Sequence, residues 1–186
     1  MKIYSSSHTY PHPFPTLSLA HWNKYPNPIT THVVHVDILN RSLHDGKLYT
    51  TRLITCEQSM PSMIRKLVGG GDRSYALETS VTDPKTMTLD CRSVNLTLSE
   101  YIRVKERCVY NTDESTDPHG TTFTQEARIE WCGMQRLSNW VEETGLTRFK
   151  ENAMKGRQAL EGVIDRVVKG EVCPGLKVNA TASAEA

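Results

Sequence analysis

The sequence predicts an α+β domain in which an antiparallel sheet of consecutive strands curves round one long C-terminal helix. Three observations carry this. Between residues 32 and 131 the chain breaks into short segments of two-residue alternation, separated by turn signals. Each segment shows one apolar and one polar face, the pattern of an antiparallel meander with one side in water. After Gly133, Trp140, Val141, Phe149, Ala153, Leu160, Ile164 and Val167 recur at three- and four-residue steps. That is a long amphipathic helix, and it is the one large segment able to cover the apolar side of the sheet.

The elements follow in order. The opening MKIYSSSHTY lacks the apolar centre of a secretory signal and reads as a strand. HPFPTLSLAHWNKY gives a short helix that ends before Pro26. In HVVHVDIL the two-residue period puts His32, Val34, Val36 and Ile38 on one inward face. Asp45-Gly46 is a hairpin turn into KLYTTRLITCEQ, where Leu48, Thr50, Arg52, Ile54 and Cys56 share a face. MPSMIRKLVGGG interrupts the strands with a short helix that Pro61 starts and Gly69, Gly70 and Gly71 end. YALETSV alternates Tyr75, Leu77, Thr79 and Val81 against polar neighbours, and DPKT is a turn. MTLDCRSVNLTL loses phase near Ser93, which predicts a bulge. Ile102, Val104, Cys108 and Tyr110 fall on one side of the next strand, and Phe123, Ala127, Ile129 and Trp131 on one side of the last. Residues 1–172 form one domain, and 173–186 a loose tail.

Composition narrows the function classes. The chain has 186 residues, of which 38% are hydrophobic and 23% charged, enough for one real core. No apolar run reaches the ~20 residues of a membrane-spanning helix. A net charge of +1 is low for a general nucleic-acid binder. Five cysteines stand singly, with no C-x-x-C, so neither a zinc site nor a disulfide framework is indicated. His32 and His35 point to opposite faces of a strand and make a poor metal pair. VGGGD at 68–72 is not followed by a helix pattern, so it reads as a hinge or turn. There is no G-x-S-x-G, Walker loop or H-E-x-x-H, and no carboxylate pair stands out for acid–base work. The residues describe a container, not a catalyst.

Some polar residues point inward. His32 and Arg52 share faces with apolar side chains near strand ends, and Lys24 follows the first helix. Arg148, Asn152 and Lys155 form a stripe beside the apolar one on the long helix. Unpaired cations are costly to bury. Either these groups pair with protein carboxylates and the helical stripe is a solvated face, or they converge on an anionic ligand.

The ordered set MKIYSSSHTY, KYPNP, HVVHVDIL, TTRLIT, MPSMIRKLVGG, SVTDPKTMTL, NLTL and RFKENAMKG resembles the PRELI-like proteins of mitochondria, most of all their Slowmo branch, over residues 1 to about 168. The resemblance implies a seven-stranded antiparallel sheet round a long helix, with a short N-terminal helix and a lid loop, akin to phosphatidylinositol-transfer and START-like tunnels. It implies a non-enzymatic phospholipid carrier of the intermembrane space, with phospholipid as cargo in place of a cofactor. Its partner would be a small helical twin C-x9-C protein, its membrane contact transient, with no nucleic acid and no metal. The head group would meet Lys24, His32, Arg52, Arg148, Asn152 and Lys155. The lid would comprise Met60, Pro61, Met63, Ile64, Leu67, Val68, Gly69, Gly70 and Gly71. Carriers of phosphatidic acid in the family have lysines where this chain has Cys56 and Ser59, and that loss of charge points to phosphatidylserine. Glu57 is near, but alternation puts it on the face opposite Arg52. The competing readings are a phosphatidic acid carrier, a START-like enzyme in the same cavity, and a protein adaptor.

Overall fold

The computed structural model describes residues 1–58, 71–113, 117–133 and 135–172. Strand β1 (Lys2–Tyr10) leads into helix α1 (Phe14–Trp22). Six strands follow: β2 (Val33–His44), β3 (Lys47–Glu57), β4 (Arg73–Asp83), β5 (Thr88–Asn95), β6 (Ile102–Asp113) and β7 (Asp117–Trp131). A 3-10 turn (Gln135–Leu137) then enters α2 (Ser138–Val168). The seven strands form one antiparallel sheet in the order β1-β7-β6-β5-β4-β3-β2, a plain meander closed by β1 against β7. Because β1 and β2 are opposite edges, the connection between them must cross the whole sheet. Helix α1 makes that crossing, and Lys24 arrives over the sheet just past its end.

Local chemistry explains the elements. Pro15 sits in the first turn of α1, where its missing N–H costs nothing. Asn23 closes the helix, its Nδ2 donating to Leu19 O at 2.8 Å. Asp45 and Gly46 both take positive φ (50° and 75°), as a two-residue hairpin requires. Helix α2 has 31 residues, about 46 Å at 1.5 Å per residue. Its start is fixed by buried Glu142, which accepts from Trp131 N (3.0 Å) and from the Met1 ammonium (2.6 Å).

The core lies at one end. Phe14, Leu17 and Ala20 of α1 meet Leu160, Val163 and Ile164 of α2 over Tyr10, Leu89, Tyr110 and Phe123 of the sheet. Burying each of the larger aliphatic side chains stabilises by about 1.5–3 kcal/mol. A cavity opens beside this cluster, and Tyr10, Tyr110, Phe123 and Leu160 belong to both.

Three strand expectations fail. The His32, Val34, Val36, Ile38 face does not exist as one face: β2 starts at Val33, carries bulges between Val33 and His35 and between Ile38 and Asn40, and buries Val33 while Val34 is 41% exposed. As an edge strand it has little to pack against. The bulge expected near Ser93 is absent, since β5 keeps continuous register with both neighbours. In β4 the inward side chains are Ser74, Ala76, Glu78 and Ser80, whereas Tyr75 is 39% exposed. On α2, Trp140 is also exposed instead of joining the apolar stripe.

Candidate functional site

Cross-strand register decides what the cavity contains. Arg52, Glu78, Ser93, Glu106 and Ala127 are successive direct partners across β3 to β7. Side chains directly opposite share a face, so four polar groups line up on the inner side of the sheet. The next row reads Thr50, Ser80, Cys91, Cys108 and Gln125. Helix α2 covers these rows with Phe149, Asn152, Ala153, Gly156 and Leu160. Together they enclose a cavity of about 310 Å³.

The deep end holds a buried charged cluster. Arg52 Nε and Nη2 donate to Glu78 Oε1 at 2.9 and 2.6 Å, and Nη2 also donates to His21 Nε2 at 3.0 Å. The guanidinium lies over the Trp22 ring at 4.8 Å. Burial, then the charges of Arg52 and Lys24, hold the His21 pKa well below its ordinary value, so it is the neutral acceptor this geometry needs. Cys91 lies 3.7 Å from the same nitrogen, its thiol pushed well up by burial. His21, Glu78 and Cys91 have the donor types of a metal site, with donor atoms within 4.8 Å. Arg52 is the cation already seated among them.

Lys24, His32, Arg52 and Asn152 all line the cavity. The opening half of the chain therefore does bring Lys24 and His32 together, though His32 precedes its strand. Burial opposes charge on Lys24, but the Tyr25 hydroxyl, Cys108 and Glu106 outweigh it and hold its pKa above the ordinary value. Burial, Lys155 and Lys24 lower His32, which is therefore a neutral imidazole at pH 7. Asn152 Nδ2 donates to Gln58 Oε1 at 3.1 Å, while its buried Oδ1 accepts nothing from the described protein groups. Lys155 is exposed on α2, close enough for its charge to act on His32, and Arg148 is half-buried. Neither lines the enclosed space. Gly156 lets α2 approach closely: a Cβ there would stand 3.1 Å from Lys24 Nζ.

Residues Met60, Pro61, Met63, Ile64, Leu67, Val68, Gly69 and Gly70 lie outside the described residues, as does Ser59; Gly71 is exposed. The flanks of that segment are joined, Gln58 N donating to Asp72 O at 3.0 Å, so it leaves and rejoins the sheet at one point beside Asn152. Cys56 lines the cavity, its thiol raised by burial. Glu57 is on the outer side, paired with Arg73.

Sequence reasoning missed His21, Glu78, Glu106, Gln125 and Arg157, all cavity-lining. The two-residue period pointed to two of them: Glu106 falls between Val104 and Cys108, and Gln125 between Phe123 and Ala127.

A seven-stranded antiparallel sheet, crossed by a short helix and gripped by a long one over a cavity, is the helix-grip, START-like fold. Solved structures agree on the fold. ZhuI aromatase/cyclase from Streptomyces sp. R1128 superposes with a TM-score of 0.61 at 14% identity, covering 94% of this chain and 99% of that one. Ara h 8.0201 gives 0.55 at 17%, covering 88% and 97%. The 18 kDa protein CC1736 from Caulobacter crescentus gives 0.54 at 10%, covering 91% and 99%.

The chain belongs to the PRELI-like family, whose model matches residues 16–171. It is 43% identical to the UPS-like protein C36.10 of Schizosaccharomyces pombe over 169 residues, 90% of this chain and 91% of that protein. It is 39% identical to the mitochondrial protein UPS2 of Saccharomyces cerevisiae, over 88% and 73% of the two chains. The slowmo homolog of Dictyostelium discoideum is 33% identical, over 87% and 71%.

Proposed function

We propose that this chain is a non-enzymatic phospholipid carrier that moves phosphatidylserine between mitochondrial membranes across the intermembrane space. One observation supports it above the others: a cavity between sheet and helix with Lys24, His32 and Asn152 in its wall and Lys155 beside it, in a chain of the PRELI-like family. The relative UPS2, named mitochondrial, supports the compartment.

The physical need for enclosure is strong. Exposing one methylene to water costs about 0.8 kcal/mol, so two acyl chains of on the order of thirty carbons would cost about 25 kcal/mol. A carrier must shield the tails. The cavity of about 310 Å³ lies at the small end of the roughly 300–1,000 Å³ range of drug-sized ligand pockets, so loading a whole lipid widens the gap between α2 and the sheet or extends beyond it.

In the loaded protein, Lys24 and Lys155 bind phosphate and carboxylate oxygens by charge-assisted hydrogen bonds, with Arg148 at the rim. Neutral His32 donates one further hydrogen bond. Asn152 both donates and accepts, which suits a serine head group. Arg52 fixes the deep wall through Glu78 and His21. Residues 60–71 act as the lid. A small helical twin C-x9-C protein binds the folded chain and stabilises it by mass action, by about 2.7 kcal/mol at a hundredfold excess over Kd.

The test is lipid capture. The chain is incubated with mixed liposomes, separated by flotation, and its lipid is extracted. About one phosphatidylserine per chain is expected; recovery of no phospholipid refutes the proposal.

A further inference from the structure

The inner-face row that begins with Arg52 and Glu78 contains a second carboxylate, and no described protein cation pairs with it. Glu106 lines the cavity and is half-buried. Its oxygens accept from Ser93 Oγ at 3.0 Å, Gln125 Nε2 at 2.6 Å and Cys108 Sγ at 3.4 Å. All three donors are neutral. They satisfy most of its roughly four acceptor sites and bring no countercharge. Glu78, two strands over, is different, because Arg52 neutralises it.

A second observation points the same way. Gln125 is 6% exposed, and with Nε2 given to Glu106 its buried Oε1 accepts nothing from the described protein groups. One wall of the cavity thus presents a charged acceptor beside an unused neutral one. Lys24 enters the same cavity from α1, and it too forms no ion pair among the described residues. Its ammonium lies 5.1 Å from the Tyr25 ring. A cation and an anion face one space, near enough for the Glu106 charge to raise the Lys24 pKa, yet no ion pair joins them among the described residues.

We infer that Glu106, supported by Gln125 Oε1, receives the protonated amine of a phospholipid head group and sets a preference for aminophospholipids over phosphatidic acid. The inference rests on the carrier reading above. A primary ammonium has three donors and must replace its hydration when it enters a closed site. Glu106 and Gln125 offer a charge and an open acceptor. The bare phosphate monoester of phosphatidic acid presents acceptors and negative charge to the same wall, where it is repelled. Selectivity of this kind comes from attraction and repulsion together. Glu57, the acidic residue nearest in sequence to the expected site, is exposed and paired with Arg73, so it does not compete for this role.

The experiment is competitive loading from liposomes holding equal phosphatidylserine and phosphatidic acid, and from a second set holding phosphatidylethanolamine and phosphatidic acid. Glu106→Gln keeps the shape and removes the charge. The captured amine-lipid to phosphatidic acid ratio is expected to fall at least tenfold in both sets, and an unchanged ratio overturns the assignment. Gln125→Met, read separately, is expected to lower the ratio severalfold, and an unchanged ratio again counts against it. Glu106→Asp keeps the charge and is expected to retain most of the preference. A ratio equal to that of Glu106→Gln would mean that shape, not charge, decides. If the wild-type chain captures neither lipid, the carrier reading falls and takes this inference with it. If it captures both and the variants match it, only the Glu106 assignment falls.

Discussion

Arg52 and Glu78 are direct partners on neighbouring strands, and both side chains turn inward, where two guanidinium nitrogens share one carboxylate oxygen at 2.9 and 2.6 Å. The arginine expected to meet a lipid phosphate is therefore already engaged, with His21 and Trp22 completing its surroundings. Removing one member of a buried pair leaves the other charge uncompensated, at about 3–5 kcal/mol. Arg52→Ala is expected to lower the melting temperature sharply and transfer at least tenfold. Replacing both partners, Arg52→Met with Glu78→Leu, recovers most of the stability. Thermal melts of the two single variants and the double variant check this; equal loss in all three contradicts it.

Lys155 gives the cleaner reading of head-group binding, because it is exposed and holds no described ion pair. Lys155→Ala is expected to leave the melting temperature within a degree or two and to slow phosphatidylserine transfer at least tenfold. A lost charged hydrogen bond is worth roughly 1.5–3 kcal/mol. Normal transfer would return Lys155 to the status of a solvated helix residue.

Gly156 separates helix stability from ligand binding. An alanine favours the helix by about 0.8–1.0 kcal/mol, yet its Cβ would stand 3.1 Å from Lys24 Nζ. Gly156→Ala is expected to keep or raise thermal stability while weakening lipid capture severalfold. Equal capture by variant and wild type would show that Lys24 adjusts freely.

Acid sensitivity follows from His21. Its folded pKa lies well below the ordinary 6.5. Below pH 6.5 the unfolded chain takes up a proton that the folded chain refuses, so stability falls as pH drops, by up to about 1.4 kcal/mol per unit. The loss stops once pH passes below the folded pKa. Denaturant melts between pH 7.5 and 5 are expected to show this slope, and His21→Gln to flatten it. Identical slopes would mean that His21 is not the titrating group.

Restoring charge near the mouth probes selectivity from the other side. Cys56 lines the cavity directly across from Ser74. Lysine at Cys56 and Ser59 is expected to raise phosphatidic acid transfer relative to phosphatidylserine, measured with both lipids in one assay. An unmoved ratio would show that these positions do not read the head group.

The meander, the Asp45-Gly46 hairpin and the long helix were legible in the sequence because turn chemistry and periodicity are local. The facing of β4 was not. Alternation assigns the apolar face to the interior, but here the interior contains a cavity lined by polar as well as apolar groups, so Ser74, Glu78 and Ser80 turn in while Tyr75 lies on the outer surface. The same assumption hid Glu106 and Gln125, which sit in phase with apolar neighbours. The bulge beside Val33 was invisible because an edge strand is pinned on one side alone. Lys24 and His32 were found because prolines and a strand start fix them locally. Their company, His21 and Glu106, comes from elements distant in the chain.

The most direct measurement is the rate of fluorescent phosphatidylserine transfer from donor to acceptor liposomes, with and without a small twin C-x9-C protein. A rate that rises in proportion to the concentration of the chain is expected, faster with the partner, with little movement of phosphatidylcholine. Transfer no faster than the lipid's spontaneous exchange, by a chain shown to be folded and paired, would contradict lipid carriage.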